Sequence, residues 1–227
     1  EKPLAENYED AKEMVNAAIK SKNINMVNFT YRESSAYQKL VEIIKSGIIG
    51  KPRHVSACYY QSWLTSNKWG DWREEDKWLW RLSTNHGSNG ALGDTGVHIF
   101  DFAVNAVGDI KEIFADLKTY YDKGERIRDY ILDANDGFNS LVRFENGAIG
   151  TITNTRYATG HANSLILEVF CTNGGLKVEL DEERKKWSTL HICQNENINK
   201  MSWETIECPK TASNYQNFIK SIEINKN

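Results

Sequence analysis

Several features that would narrow the class of this 227-residue chain at a glance are scarce or missing. Proline occurs three times, and no linker rich in proline, glycine or serine announces a domain boundary. No internal repeat or low-complexity tract appears, which excludes solenoids and fibrous arrays. No apolar run approaches the length that crosses a bilayer, and Glu1-Lys2-Pro3-Leu4 lacks the architecture of a signal peptide. The expectation is a soluble chain with no membrane partner. Cys58, Cys171, Cys193 and Cys208 lie far apart, without a C-x-x-C pair or histidines at ligand spacing. They are expected to be reduced thiols in the cytoplasm, with no metal between them. Excess charge is missing too: Lys+Arg 28 against Asp+Glu 31 gives a net charge of -3, which selects no nucleic acid.

What is present reads as a globular protein, 40% hydrophobic and 26% charged, long enough to bury a sizeable core. Asn7 is a good cap for a helix carrying Ala11, Met14, Val15, Ala18 and Ile19 at helical spacing. The alternation through Ile24 to Phe29 predicts a short strand. A second helix is expected from about Ser34 to Ser46, ended by Gly47, and Pro52 opens a strand. From Val55 to Leu82 an irregular aromatic stretch holds five of the seven tryptophans and is expected to be a long loop, packed over a core or lining a cleft. The glycines from Gly90 to Gly96 feed a helix. Beyond Gly108 the pattern changes to strands over 110–121, 138–145, 148–157, 165–172, 176–180, 188–193 and 203–207. Asn146-Gly147 and Asn173-Gly174-Gly175 are expected to supply the positive φ of tight turns, so neighbouring strands should run antiparallel. Tyr215, Phe218, Ile219 and Ile222 predict a last helix over 214–224.

Asp94 and His98 are four residues apart, so on a helix they share a face. A carboxylate beside an imidazole fixes its tautomer and raises its basicity, which suits a base taking a proton from a hydroxyl. On spacing alone, a capping Asp94 with an interior His98 is the favoured alternative. A metal reading lacks a third ligand at a recognisable interval. Lys2, taken by itself, is a terminal charge.

Context sharpens these residues. Glu1-Lys2-Pro3 resembles the E-K-P segment of the glucose-fructose oxidoreductase and inositol dehydrogenase family, Gfo/Idh/MocA. Met26 to Arg32 resembles that family's last nucleotide-domain strand, and Gly47-Ile48-Ile49-Gly50-Lys51-Pro52 its G-x-I-G turn. Gly90-Ala91-Leu92-Gly93-Asp94-Thr95-Gly96-Val97-His98-Ile99-Phe100-Asp101 is similar to its G-G-x-L-x-D-x-G-x-H-x-x-D segment. Phe144 to Gly150 and Thr172 to Gly175 extend the likeness over nearly the whole chain. Ser88-Asn89 depart from it where further glycines are usual, which leaves substrate identity open.

The resemblance implies an α/β fold of the α+β kind: a large, mainly antiparallel open sheet with helices on one face, like the C-terminal domain of dihydrodipicolinate reductase. The last helix and strand of a Rossmann domain would precede it. Residues 1–32 would then be the tail of that nucleotide domain and 33–227 a substrate-binding and oligomerisation domain. No G-x-G-x-x-G follows a strand in this sequence, so the choice between NAD and NADP cannot be read. The implied activity is hydride transfer between NAD(P) and a hydroxyl or keto group of a sugar, inositol or related polyol, by a fragment inactive on its own. The implied catalytic residues are Lys2, Asp94 and His98, with Asp94 orienting the imidazole, and the Lys2-Pro3 peptide is expected to be cis. Glu1, Lys2, Pro3 and Tyr31 would meet the cofactor. Trp80, Arg81, Arg156 and His161 would line the sugar site, rings stacking on apolar sugar faces and guanidinium groups bonding hydroxyls. A homo-oligomer through the sheet is expected. The alternative class is a catalytically silent ligand-binding or assembly module.

Overall fold

The computed structural model describes residues 1–181 and 187–224. Helix α1 (Tyr8–Ser21) starts where the Asn7 side chain accepts the Asp10 N–H at 2.9 Å, and none of its residues is buried. The strand expected over 24–29 does not form. That segment is irregular, turning where the Phe29 N–H donates to the Val27 carbonyl at 3.1 Å, and leads into a 3-10 turn at Thr30–Glu33; with no neighbouring strand it gains no ladder hydrogen bonds. Helix α2 (Ser35–Ser46) is capped by Ser34 and stopped by Gly47, whose φ of 74° is open to glycine at little cost. Its buried face is Ala36, Tyr37, Leu40, Ile43 and Ile44.

Strand β1 (Pro52–Gln61) follows, so the loop expected from Val55 begins only at Ser62. Val55, Ala57 and Tyr59 alternate into the core, a period-2 signal masked by the neighbouring aromatics. After it the chain makes a short helix α3 (Asp76–Leu79) and a long helix α4 (Val97–Val107), the latter entered through a π-helical turn at Leu92–Gly96. Then come β2 (Ile110–Lys118), the small hairpin β3 (Arg126–Ile127) and β4 (Tyr130–Ile131), β5 (Gly137–Phe144), β6 (Ile149–Thr155), β7 (Asn163–Cys171), β8 (Gly174–Asp181) and β9 (Thr189–Gln194). Helix α5 (Glu196–Lys200), β10 (Glu204–Glu207) and α6 (Asn214–Glu223) complete the described chain.

Eight strands form one sheet in the order β10-β9-β8-β7-β1-β6-β5-β2. Every neighbouring pair is antiparallel except β1 with β6, which run parallel in the middle. The β5–β6 turn uses Gly147 at φ 85° as expected. The β7–β8 turn does not: Thr172 and Asn173 make it, and neither Gly174 nor Gly175 has a positive φ. Gly174 instead gives room, since a Cβ there would lie 2.6 Å from the Cys193 carbonyl oxygen. Helices α2 and α4 cover one face, and their apolar residues join Val55, Ile152, Leu165, Leu167 and Val178 in the main core. A second small core, Trp63, Leu64, Trp72, Leu79, Leu82 and Leu132, sits under the aromatic loop. The opposite sheet face is open, with Phe114, Leu141 and Ile149 exposed. All four cysteines are free thiols, and among the described residues no helix is long and apolar enough to cross a membrane.

Gly96 joins the π-helical turn to α4 against the sheet, and a Cβ there would meet the buried Phe138 ring at 2.8 Å. Gly96→Ala is expected to cost about 1–3 kcal/mol of stability. The urea midpoint measures it, and an unchanged midpoint would disprove the close packing.

Candidate active site

Three elements bring the charged residues together where β1 and β6 end. The N-terminal segment carries Lys2, which precedes a cis peptide bond to Pro3. The π-helical turn carries Asp94, and the first turn of α4 carries His98. Just beyond β6 lies Arg156, in register with the inward positions Gly150, Ile152 and Asn154.

Asp94 is the hub. Lys2 Nζ donates to its backbone carbonyl and to Oδ1 at 3.2 Å. Arg156 Nη2 donates to Oδ2 at 3.1 Å, and Arg81 Nε stands 3.6 Å from the same oxygen. Burial pushes the Asp94 carboxyl up, but Arg156, Lys2 and Arg81 together hold it below its ordinary value. Arg156 has no solvent exposure, and its Nη1 donates to the Arg81 carbonyl at 3.1 Å while the guanidinium lies over the Trp63 ring. Arg81 in turn stacks on Trp80, at 4.6 Å.

His98 makes no hydrogen bond to Asp94. Among the described residues its Nδ1 is buried without a partner, and its ring meets the edges of Tyr31 at 4.9 Å and Phe29 at 5.9 Å. Burial, then the nearby Lys2 ammonium, lower its pKa to about 4, so the imidazole is neutral at physiological pH. The expected Asp94–His98 pair is therefore replaced by an Asp94 turned to three cations and an uncharged His98. The pair does not form because both carboxylate oxygens of Asp94 are taken, Oδ1 by Lys2 and Oδ2 by Arg156.

A cleft of about 230 Å³ is lined by Lys2, Pro3, Trp80, Arg81, Gly93 and Asp94, among others. Trp80 keeps 38% of its surface exposed beside it. Tyr31 lies against His98, and its hydroxyl is 2.7 Å from that of Tyr59. Glu1 is exposed at the chain end. Two expected sugar contacts fall elsewhere. Arg156 is fully enclosed and has no surface to offer a ligand. His161 packs on Tyr60 at 5.2 Å and bonds Ser164. Tyr60 follows the core residue Tyr59 in a strand and so points to the other face of the sheet.

Other residues complete the site without having been singled out in the sequence. Asn154 donates from Nδ2 to the Tyr59 carbonyl and to Thr95 Oγ1, tying the π-helical turn to the sheet. Asp136, fully buried, accepts the Tyr120 N–H on Oδ2. Arg32 grips Asp101 with two hydrogen bonds, joining the first 32 residues to α4. The signal for Asn154 was its register, a polar residue at the inward position that follows Gly150 and Ile152. Among the described residues no group of three His, Cys, Asp or Glu is placed to hold a metal ion.

The open mixed sheet, with Lys2 held on Asp94 at the ends of its central strands, agrees with the Gfo/Idh/MocA type of domain. The chain belongs to that family: residues 37–177 match its description as the GFO/IDH/MocA C-terminal domain. Levoglucosan dehydrogenase of Pseudarthrobacter phenanthrenivorans is 31% identical over 193 residues, covering 78% of this chain and 47% of that protein. Myo-inositol 2-dehydrogenase of Thermotoga maritima is 31% identical over 177 residues, covering 77% of this chain and 46% of that protein. Among solved structures, a levoglucosan dehydrogenase complexed with NADH and levoglucosan superposes with a TM-score of 0.82 at 25% identity, over 99% of this chain and 64% of that one. The chain thus spans about half the length of the curated relatives it matches.

Two buried groups give opposite pH dependences. His98 binds a proton more weakly folded than unfolded, so its contribution to stability is lost as pH falls from 6.5 toward about 4, by roughly 3 kcal/mol. Burial raises the Asp136 carboxyl from 3.8 to about 6, so its contribution is present below 3.8 and lost as pH rises through 6. Relative to wild type, His98→Gln is expected to gain stability as pH is lowered through this window, and Asp136→Asn to lose it. Urea titrations at several pH values check both signs.

Proposed function

We propose that this chain is the substrate half of a nicotinamide-dependent dehydrogenase acting on a secondary hydroxyl of a sugar, inositol or related polyol, or on the corresponding ketone. The observation that carries the reading is Lys2 held on Asp94 at a cleft, with a neutral His98 close enough to feel both charges. The relatives' printed activities, on levoglucosan and myo-inositol, support the substrate class. Main binding of NAD or NADP belongs to a preceding nucleotide domain of which residues 1–32 are the end. Helix α1, with Met14, Val15 and Ile19 exposed, supports that division, because an apolar stripe of this kind is made to be covered.

The donor set fits the chemistry. A bound oxidised nicotinamide would supply the hydride acceptor, held on this side by Glu1, Lys2, Pro3 and Tyr31. His98, unprotonated and unpartnered, accepts the hydroxyl proton. Its low proton affinity makes it a weak base, and the Lys2 ammonium offsets this by stabilising the alkoxide that develops. Asp94 holds Lys2 in place through Oδ1 and the backbone carbonyl. Trp80 offers an exposed ring face to the sugar and Arg81 a guanidinium to its hydroxyls. The open sheet face, with Phe114, Leu141 and Ile149 uncovered, supports a homo-oligomer. The reduced thiols and this cofactor fit the cytoplasm.

The test is cofactor fluorescence with the full-length protein, NAD or NADP, and a panel of sugars and inositols. One polyol should yield reduced cofactor, and His98→Ala should lower kcat about 10²- to 10⁴-fold. A full-length protein that binds neither cofactor would sink the reading and leave a silent binding or assembly module.

A further inference from the structure

The full burial of Arg156 removes it from the list of ligand contacts and raises the question of what a desolvated guanidinium does there. Burial of an unpaired charge is strongly unfavourable, and burial depresses the affinity of Arg156 for its proton, so the partners it has must justify its presence. Those partners lie on the two walls of the cleft: Oδ2 of Asp94 on one, the backbone carbonyl of Arg81 on the other, each at 3.1 Å. The planar guanidinium lies against the face of Trp63, with the ring centroid 5.0 Å away. Its backbone N–H is fixed as well, donating to the Asp136 carbonyl at 3.1 Å.

Asp94 has two oxygens and two possible directions. On an ordinary α-helix it would reach His98 four residues on; here Oδ2 is taken by Arg156 and Oδ1 by Lys2. We propose that Arg156 is a positioning residue, which clamps the Asp94 carboxylate onto Lys2 and away from His98, leaving the imidazole without a carboxylate partner. The role rests on the dehydrogenase reading above and deepens it: the clamp sets the base and the cation of the same site. Through the Arg81 carbonyl it also fixes the wall that carries Trp80. The charged and titratable groups facing Asp94 are Lys2 from the N-terminal segment, Arg81 from the loop, Arg156 from the end of β6 and His98 from its own helix. Asp136 acts on Arg156 from behind.

The experiment follows the titration of His98 by NMR in full-length protein carrying isotope-labelled histidine, and separately the pH profile of turnover, in wild type, Arg156→Gln and Arg156→Lys. In Arg156→Gln the freed carboxylate turns to His98, whose titration midpoint is expected to rise by roughly 1–3 units. In the same variant kcat is expected to fall about 10²-fold with little change in KM, and the acid limb of the profile to move up. A lysine carries the charge without the two-pronged fork, so Arg156→Lys is expected to give an intermediate midpoint and recover part of kcat. A His98 midpoint equal to wild type in folded Arg156→Gln overturns the proposal. Should that variant not fold, Arg156→Lys decides alone, and a wild-type midpoint there overturns it equally. The titration needs no cofactor, so a shifted midpoint in a protein without dehydrogenase activity supports the clamp while defeating the dehydrogenase reading.

Discussion

A guanidinium with no solvent contact has to be neutralised and hydrogen-bonded where it lies, and Arg156 is held by Asp94 and the carbonyl of Arg81, with Nε left without a partner among the described residues. Much of the site follows from this one requirement. Asp94 stays ionised at a largely buried position because three cations surround it, and once ionised it anchors Lys2 from the opposite end of the chain. The aromatic loop is anchored by the same group, since Trp63 packs on its face and Arg81 receives its hydrogen bond. An apolar residue at Arg156 would fill the space, but it could not join those three segments.

The sheet supplies the frame. Placing the parallel pair β1 and β6 in the middle brings the C-terminal ends of two adjacent strands to the same edge, where Tyr59, Asn154 and Arg156 emerge side by side. The π-helical turn then enters α4 over that edge, held by Asn154 on Thr95. Asp94 stays charged because three cations face it, and His98 stays neutral because it is buried beside the Lys2 ammonium.

The covered and uncovered surfaces divide along the same lines. The face of the sheet under α2 and α4 is a closed core, whereas α1 and the outer sheet face present apolar residues to solvent. The chain is tied to the site on either side of α1, by Lys2 on Asp94 and by Arg32 on Asp101.

Sequence alone determined the four longer helices and most strands, but not the short α3 and α5, because capping residues and apolar periodicity are local signals: Asn7, Ser34, Gly47 and Gly147 stand where those rules put them. Residue spacing left Asp94 and His98 ambiguous, and the likeness of Lys2, Asp94 and His98 to a family pattern supplied their chemistry. Other features waited for the tertiary structure. The strand over 24–29 was lost because strands need partners, and β1 was hidden because its inward residues are interleaved with aromatics. Arg156 and His161 read alike as polar residues near a site; only the register of β6 and the two faces of β1 enclosed one beneath Asp94 and carried the other to the far side. The split between Asp94 and His98 was illegible because spacing within one helix cannot show that Lys2 and Arg156, distant in sequence, take the two carboxylate oxygens.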